Sequence, residues 1–150
     1  MLRYSAHGEL HMDFHASTLD GVNYLLENYG EDALKEVLFN TGTKVYKSIH
    51  EKLQKGDSSE LLEHWQFFFS REGGEFKLDI NEDGTATLEV IKCPALCHLE
   101  KINIEPDQVM CRATAILNDA LCSDSPFVIE TVPTGKFSCR QVLKLREVSK

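Results

Sequence analysis

The spacing of apolar residues changes from a helical to a strand period at Gly73-Gly74, and this change constrains the fold more than any other feature of the chain. Before the two glycines, apolar residues recur every three or four positions, as on one side of a helix. After them, Phe76, Leu78 and Ile80 alternate with polar residues, as in a strand with one buried face. Helices followed by strands predict an α+β domain.

Three helices are predicted before the glycines, with ends marked by capping residues and glycine, at about residues 17–30, 31–55 and 57–73. Gly42 falls on the apolar stripe of the second helix, where glycine costs about 1 kcal/mol relative to alanine. We therefore expect close packing or ligand approach at Gly42. His50 and His64 occupy polar helical positions, and both are expected at the surface.

Two β-hairpins are predicted in the second half, at about residues 76–90 and 127–145. A helix from about Pro106 to Leu121 separates them, and Pro94 opens a short helix before it. The predicted fold is α+β: three N-terminal helices, then two β-hairpins that form a four-stranded antiparallel sheet, with a further helix between them. We expect one domain over residues 1–150, with a histidine-containing arm at residues 1–16.

The composition excludes several classes of partner. The net charge is −8, and phosphate binding needs a basic face, so nucleic acid is not an expected partner. No apolar run approaches the roughly 18 residues of a membrane span, and the N-terminus lacks the apolar block of a signal peptide. Five cysteines, an odd number, favour reduced thiols over a disulfide framework. A soluble cytoplasmic protein is therefore expected, and a homo-oligomer is left open.

Cys93 lies where the first hairpin gives way to the short helix, directly before Pro94. Unpaired N–H groups and the helix dipole favour a thiolate at such a position. The residue could be a nucleophile, a metal ligand or a redox group, or a buried small hydrophobe. Regular strand geometry would point Cys93 away from the apolar face that includes Val90, and only a break at Pro94 would return it.

The last predicted strand carries Cys139 and Gln141 on its inward, mostly apolar face. A buried amide needs hydrogen-bond partners, so this pair suggests a cavity rather than plain core. Arg140 should point outward unless a bulge intervenes. It could bind a carboxylate or simply be solvated.

Metal ligation is the other chemistry that the residue types allow. His11, Asp13 and His15 share one side of an extended segment and would suit a divalent metal, although a polar arm is the plain alternative. In a helix, His7 would instead stack with His11 and His15. A second set of candidate ligands comprises Cys93, Cys97, His98 and Cys139. No cofactor is certain from these patterns.

Several short motifs resemble the L-2-amino-thiazoline-4-carboxylic acid hydrolase-like family. They are Tyr29-Gly30-Glu31-Asp32-Ala33-Leu34, Cys93-Pro94-Ala95, Cys111 and Gly135-Lys136-Phe137-Ser138-Cys139-Arg140. The resemblance covers residues 18 to 146 and implies a hydrolase that opens a small cyclic amidine with water. The family's cysteine positions correspond to Cys93, Cys111 and Cys139 here.

The chemistry of that reaction suggests roles for the candidate residues. Hydrolysis needs a nucleophile, a proton donor and a cation for the substrate carboxylate. Cys93 would attack or position water, and His98 would carry the proton. Cys139 and Gln141 would line the pocket, and Arg140 would meet the carboxylate if the strand bulges. The alternatives are a small-molecule or metal-binding module without turnover, and a structural or interaction subunit.

Overall fold

The structure is a computed structural model that describes residues 13–148. The helices are α1 Asp13–Tyr29, α2 Glu31–Asn40, α3 Lys47–Gln54, α4 Ser59–Arg71, α5 Pro94–Lys101 and α6 Val109–Leu121, and a π-helical turn, Thr41–Val45, joins α2 to α3. The strands are β1 Glu75–Ile80, β2 Ala86–Lys92, β3 Phe127–Gly135 and β4 Ser138–Leu145. This order confirms the α+β prediction.

The four strands form one antiparallel sheet in the order β1-β2-β4-β3. Each predicted hairpin is present, and β2 joins them by pairing with β4 from Ala86 opposite Leu143 to Val90 opposite Cys139. Side chains alternate between the two faces. Leu88, Ile129 and Leu143 are buried on the inner face. The outer face carries exposed ion pairs such as Arg140 with Glu89, and the described helices pack on the opposite, inner face.

The main core lies between this inner face and the helices. Ile49 and Leu53 of α3, Trp65 of α4 and Leu121 of α6 pack there with the buried strand residues. No helix within residues 13–148 is long and apolar enough to cross a membrane.

The first helix begins earlier than predicted. Ser17 and Thr18 do not cap it, because their hydroxyls donate to the carbonyls of Asp13 and Phe14, four residues back within α1. The described part of the predicted arm, residues 13–16, is therefore helical. His15 in this turn is only 2% exposed, which excludes a solvated arm at that residue.

The predicted helix from Glu31 to Lys55 is in fact two helices joined by the π-helical turn. Gly42 lies in that turn, and a Cβ placed on it would be 2.8 Å from Cβ of Ala120 in α6. The expectation of close packing at Gly42 is thus confirmed. His50 is buried rather than exposed, and its Nδ1 lies 3.0 Å from the carbonyl oxygen of Leu121, also on α6.

Candidate functional site

A β-bulge determines the direction of Cys93. Glu75 of β1 pairs with Lys92, while the next residue, Phe76, pairs with Val90, so Ile91 is an extra residue in β2. Such a residue reverses the side-chain alternation beyond it. Ile91 and Lys92 are both exposed, and Cys93 turns inward with the parity of Val90. The regular alternation of β2 therefore breaks at Ile91, before Pro94, and this break turns Cys93 toward the apolar face of the sheet.

Cys93 opens onto a cavity of about 210 Å³ between the sheet and the helices. Its walls are mainly aromatic and aliphatic: Phe14, Tyr46, Leu61, Trp65, Phe68, Phe69, Val90, Leu96, Met110, Leu117 and Leu121. The polar lining residues include His15, His64, Asn118, Thr131 and Gln141. Among the described residues that line the cavity, none is Asp, Glu, Lys or Arg.

The structure brings four of the predicted site residues together. Cys93, Cys139 and Gln141 line this cavity, and so does His15, which the sequence analysis assigned to a metal site. Cys111 of α6 lines it as well. Arg140 does not. It lies on the outer face of the sheet, where its guanidinium donates to Glu89 at 3.0 Å, because β4 has no bulge at this position.

The thiols in the cavity are neutral at ordinary pH. Burial raises the pKa of Cys93, and the backbone N–H groups of Ala95 and Leu96 oppose this rise without overcoming it. Burial likewise raises the pKa of Cys111, and that of Cys139 to about 11. The thiolate expected at the start of α5 is therefore not favoured, because desolvation outweighs the helix N-terminus.

A buried polar group lies at the wall formed by α1. Nε2 of His15 is 4.0 Å from Oε2 of Glu72, and the ring centroids of His15 and His98 are 6.2 Å apart. His15 Nε2, Glu72 Oε2 and His98 Nε2 are buried and make no hydrogen bond to a described residue. Burial, and then the nearby His98, lower the pKa of His15 to about 4. His15 thus presents a neutral imidazole to the cavity, while His98 is not among the residues that line it.

His64 also differs from expectation. It is half-buried in α4 and lines the cavity, with its ring stacked on Phe68 at a centroid distance of 6.3 Å. The helical period had indicated a polar surface position. It could not show that this side of α4 faces a cavity.

The opposite wall carries an amide network. Nδ2 of Asn118 donates to Oε1 of Gln141 at 2.7 Å and to Oγ1 of Thr131 at 3.0 Å. These bonds are the partners that the sequence analysis required for an inward Gln141. Gln141 itself is only 4% exposed. The network is therefore part of the cavity wall that β3, β4 and α6 form, which we call the inner wall.

Neither candidate metal site is formed by the residues that the structure describes. Asp13 and His15 lie two residues apart in α1, one exposed and the other buried, so they do not share a side as an extended segment would require. His11 lies outside the described residues. Within residues 13–148, no group of three or more His, Cys, Asp or Glu side chains has the geometry to hold a metal ion, and this applies to Cys93, Cys97, His98 and Cys139.

Sequence reasoning missed the roles of His15, Asn118 and Thr131 in this cavity. Asn118 did carry a signal, because an asparagine among the inward apolar residues of α6 needs a buried partner. Thr131 is adjacent to Gln141 in the strand pairing, which only the sheet order reveals. Comparison with known proteins found no matching family model, no matching curated protein and no matching solved structure.

Proposed function

We propose that the protein binds a small, uncharged, largely apolar molecule in the cavity between its sheet and its helices. The observation that supports this proposal is the absence of Asp, Glu, Lys and Arg from the described lining, together with the lowered pKa of His15 and the raised pKa of the Cys139 thiol. Apolar walls with a few placed polar groups are typical of small-molecule sites. A cavity of about 210 Å³ suits a single ring, since an engineered cavity of about 150 Å³ holds benzene.

The proposal also specifies what the cavity rejects. A carboxylate ligand would lose its hydration and meet no Lys or Arg among the described lining residues, which costs several kcal/mol. Ligands should therefore be neutral at pH 7.

Filling the cavity tests the proposal. Leu117→Phe adds volume at the lining and should weaken toluene binding at least tenfold in a calorimetric titration. The matched control is Leu145→Phe at the exposed end of β4, which should bind toluene as the wild type does. Toluene binding that is unaffected by Leu117→Phe, or that is absent from the wild type, would contradict the proposal.

Hydrolysis of a small cyclic amidine is a second candidate, favoured by the convergence of Cys93, Cys139 and Gln141 on one cavity. Because the Cys93 thiol is neutral, attack would require a base to take its proton. The His15 imidazole lines the same cavity, but its pKa of about 4 makes it a weak base for a thiol whose pKa is raised. Arg140 has no part in this version, since Glu89 holds it on the other face.

Turnover separates the two candidates. If Cys93 is the nucleophile, Cys93→Ser should lower hydrolysis of 2-amino-thiazoline-4-carboxylate at least a hundredfold. Cys97→Ser is the control, because Cys97 lies in α5 but does not line the cavity. A wild-type protein without turnover, or a fully active Cys93→Ser variant, would exclude this candidate and leave ligand binding untouched.

A further inference from the structure

The amide network on the inner wall has a fixed orientation. Gln141 and Thr131 are neighbours across the β3–β4 pairing, and Asn118 reaches both of them from α6. The side-chain amide of asparagine has two donor hydrogens. Both are used here, one toward each partner, so the direction of the Asn118 carbonyl is also set.

Asn118 and Thr131 each have one polar function left over, while the Gln141 side chain also forms a hydrogen bond with Cys139. Oδ1 of Asn118 accepts no hydrogen bond from any described residue, although Asn118 is only 4% exposed. The Thr131 hydroxyl accepts from Asn118, and among the described residues its own proton has no acceptor. Because Asn118 and Thr131 both line the cavity, one acceptor and one donor are available to a molecule inside it.

The acceptor and the donor belong to adjacent groups, since a hydrogen bond of 3.0 Å joins Nδ2 of Asn118 to Oγ1 of Thr131. Their complement is an edge with an N–H next to a C=O. An open-chain secondary amide does not offer this edge, because its trans bond points the two groups in opposite directions. A small ring forces the amide to be cis and places both groups on one edge.

We propose that the ligand is a neutral monocyclic lactam, whose N–H donates to Oδ1 of Asn118 and whose C=O accepts from the Thr131 hydroxyl. This inference rests on the proposed function, because it names the class of molecule that the neutral cavity takes. The rest of the ring would contact the apolar walls, among them Trp65 and Phe68.

Three probes of similar size test the inference on the full chain by calorimetric titration. They are 2-pyridone, N-methyl-2-pyridone, which lacks the N–H, and toluene, which lacks the polar edge. The wild type should bind 2-pyridone at least tenfold more tightly than either of the others.

Thr131→Val keeps the shape of the side chain and removes the hydroxyl. It should reduce the preference for 2-pyridone over toluene about tenfold. Thr87→Val is the matched control, because Thr87 lies in β2 and does not line the cavity. This variant should keep the wild-type preference.

The outcomes distinguish the inference from the function on which it rests. If toluene binds but 2-pyridone shows no preference, or if its preference survives Thr131→Val, the lactam inference is overturned and neutral-ligand binding stands. If toluene does not bind to the wild type, the proposed function fails, and the inference fails with it.

Discussion

At the residue scale, His15 shows how burial changes the chemistry of a side chain. It is 2% exposed, and its Nε2 has no hydrogen-bond partner among the described residues. Its pKa falls to about 4 from an ordinary value of 6.5. The unfolded chain therefore takes up a proton at this residue near pH 6.5, while the folded chain does so only near pH 4. The stability that depends on a neutral His15 is present above pH 6.5 and is lost as the pH falls toward 4.

This linkage predicts a pH dependence of folding that can be assigned to one residue. Between pH 7.5 and 5.0, the wild type should lose about 2 kcal/mol of unfolding free energy through His15. His15→Phe keeps an aromatic ring against Phe14 and Phe68 and removes the titration. Urea denaturation at the two pH values should show that the unfolding free energy of the variant falls by about 2 kcal/mol less than that of the wild type. An unchanged pH dependence in His15→Phe would contradict the assignment.

Cys93 illustrates the limit of sequence reasoning about a single residue. Its position before Pro94 at the start of a helix was readable from the sequence, and α5 does begin at Pro94. Two further facts were not readable: the bulge at Ile91, which turns the thiol inward, and the depth of burial, which raises its pKa. Both depend on how β1 and the helices meet β2, and no local pattern encodes that.

At the element scale, the junction of α2 and α3 is fixed by close packing against α6. A Cβ on Gly42 would lie 2.8 Å from Cβ of Ala120 and 3.2 Å from the backbone nitrogen of Leu121. Backbone cannot yield as a flexible side chain would, so α6 itself would have to move. Since α6 carries Asn118, this contact also positions the inner wall of the cavity.

Two glycine substitutions test this packing. Gly42→Ala should destabilise the fold by about 1–3 kcal/mol because it overpacks a tight contact. Gly21→Ala, in the exposed interior of α1 with nothing within 4 Å of the added methyl group, should instead stabilise it by about 0.5–1 kcal/mol. Thermal unfolding of both variants measures the contrast. A stabilising effect at Gly42 would show that the helices do not meet as described.

The elements themselves were largely predictable, because the apolar periods of α4, of both hairpins and of α6 are regular. The failures have physical causes. The π-helical turn interrupts a stripe that a regular helix would continue, so the predicted second helix was too long. Ser17 and Thr18 resemble caps, but each hydroxyl bonds back into a helix that had already begun.

At the scale of the whole molecule, the sheet and the helices enclose a space that neither fills. The inner face of the sheet contributes Val90, Cys139 and Gln141, and aromatic residues of α1 and α4 face them across the cavity. Gln141 and Cys139 on an inward strand face indicated such a space from the sequence. The lack of charge in this cavity could not be predicted from the sequence. It depends on Arg140 lying on the outer face of the sheet and on burial, which keeps His15 and the thiols uncharged.

The most direct test of this account is an NMR titration of isotope-labelled protein with toluene and, separately, with benzoate. The two probes are alike in size and differ in charge. Toluene should shift the amide signals of residues around the cavity, such as Cys93, Leu117 and Gln141, and benzoate should leave them unchanged. Benzoate binding in the cavity as tightly as toluene would contradict the claim that this is a site for uncharged molecules.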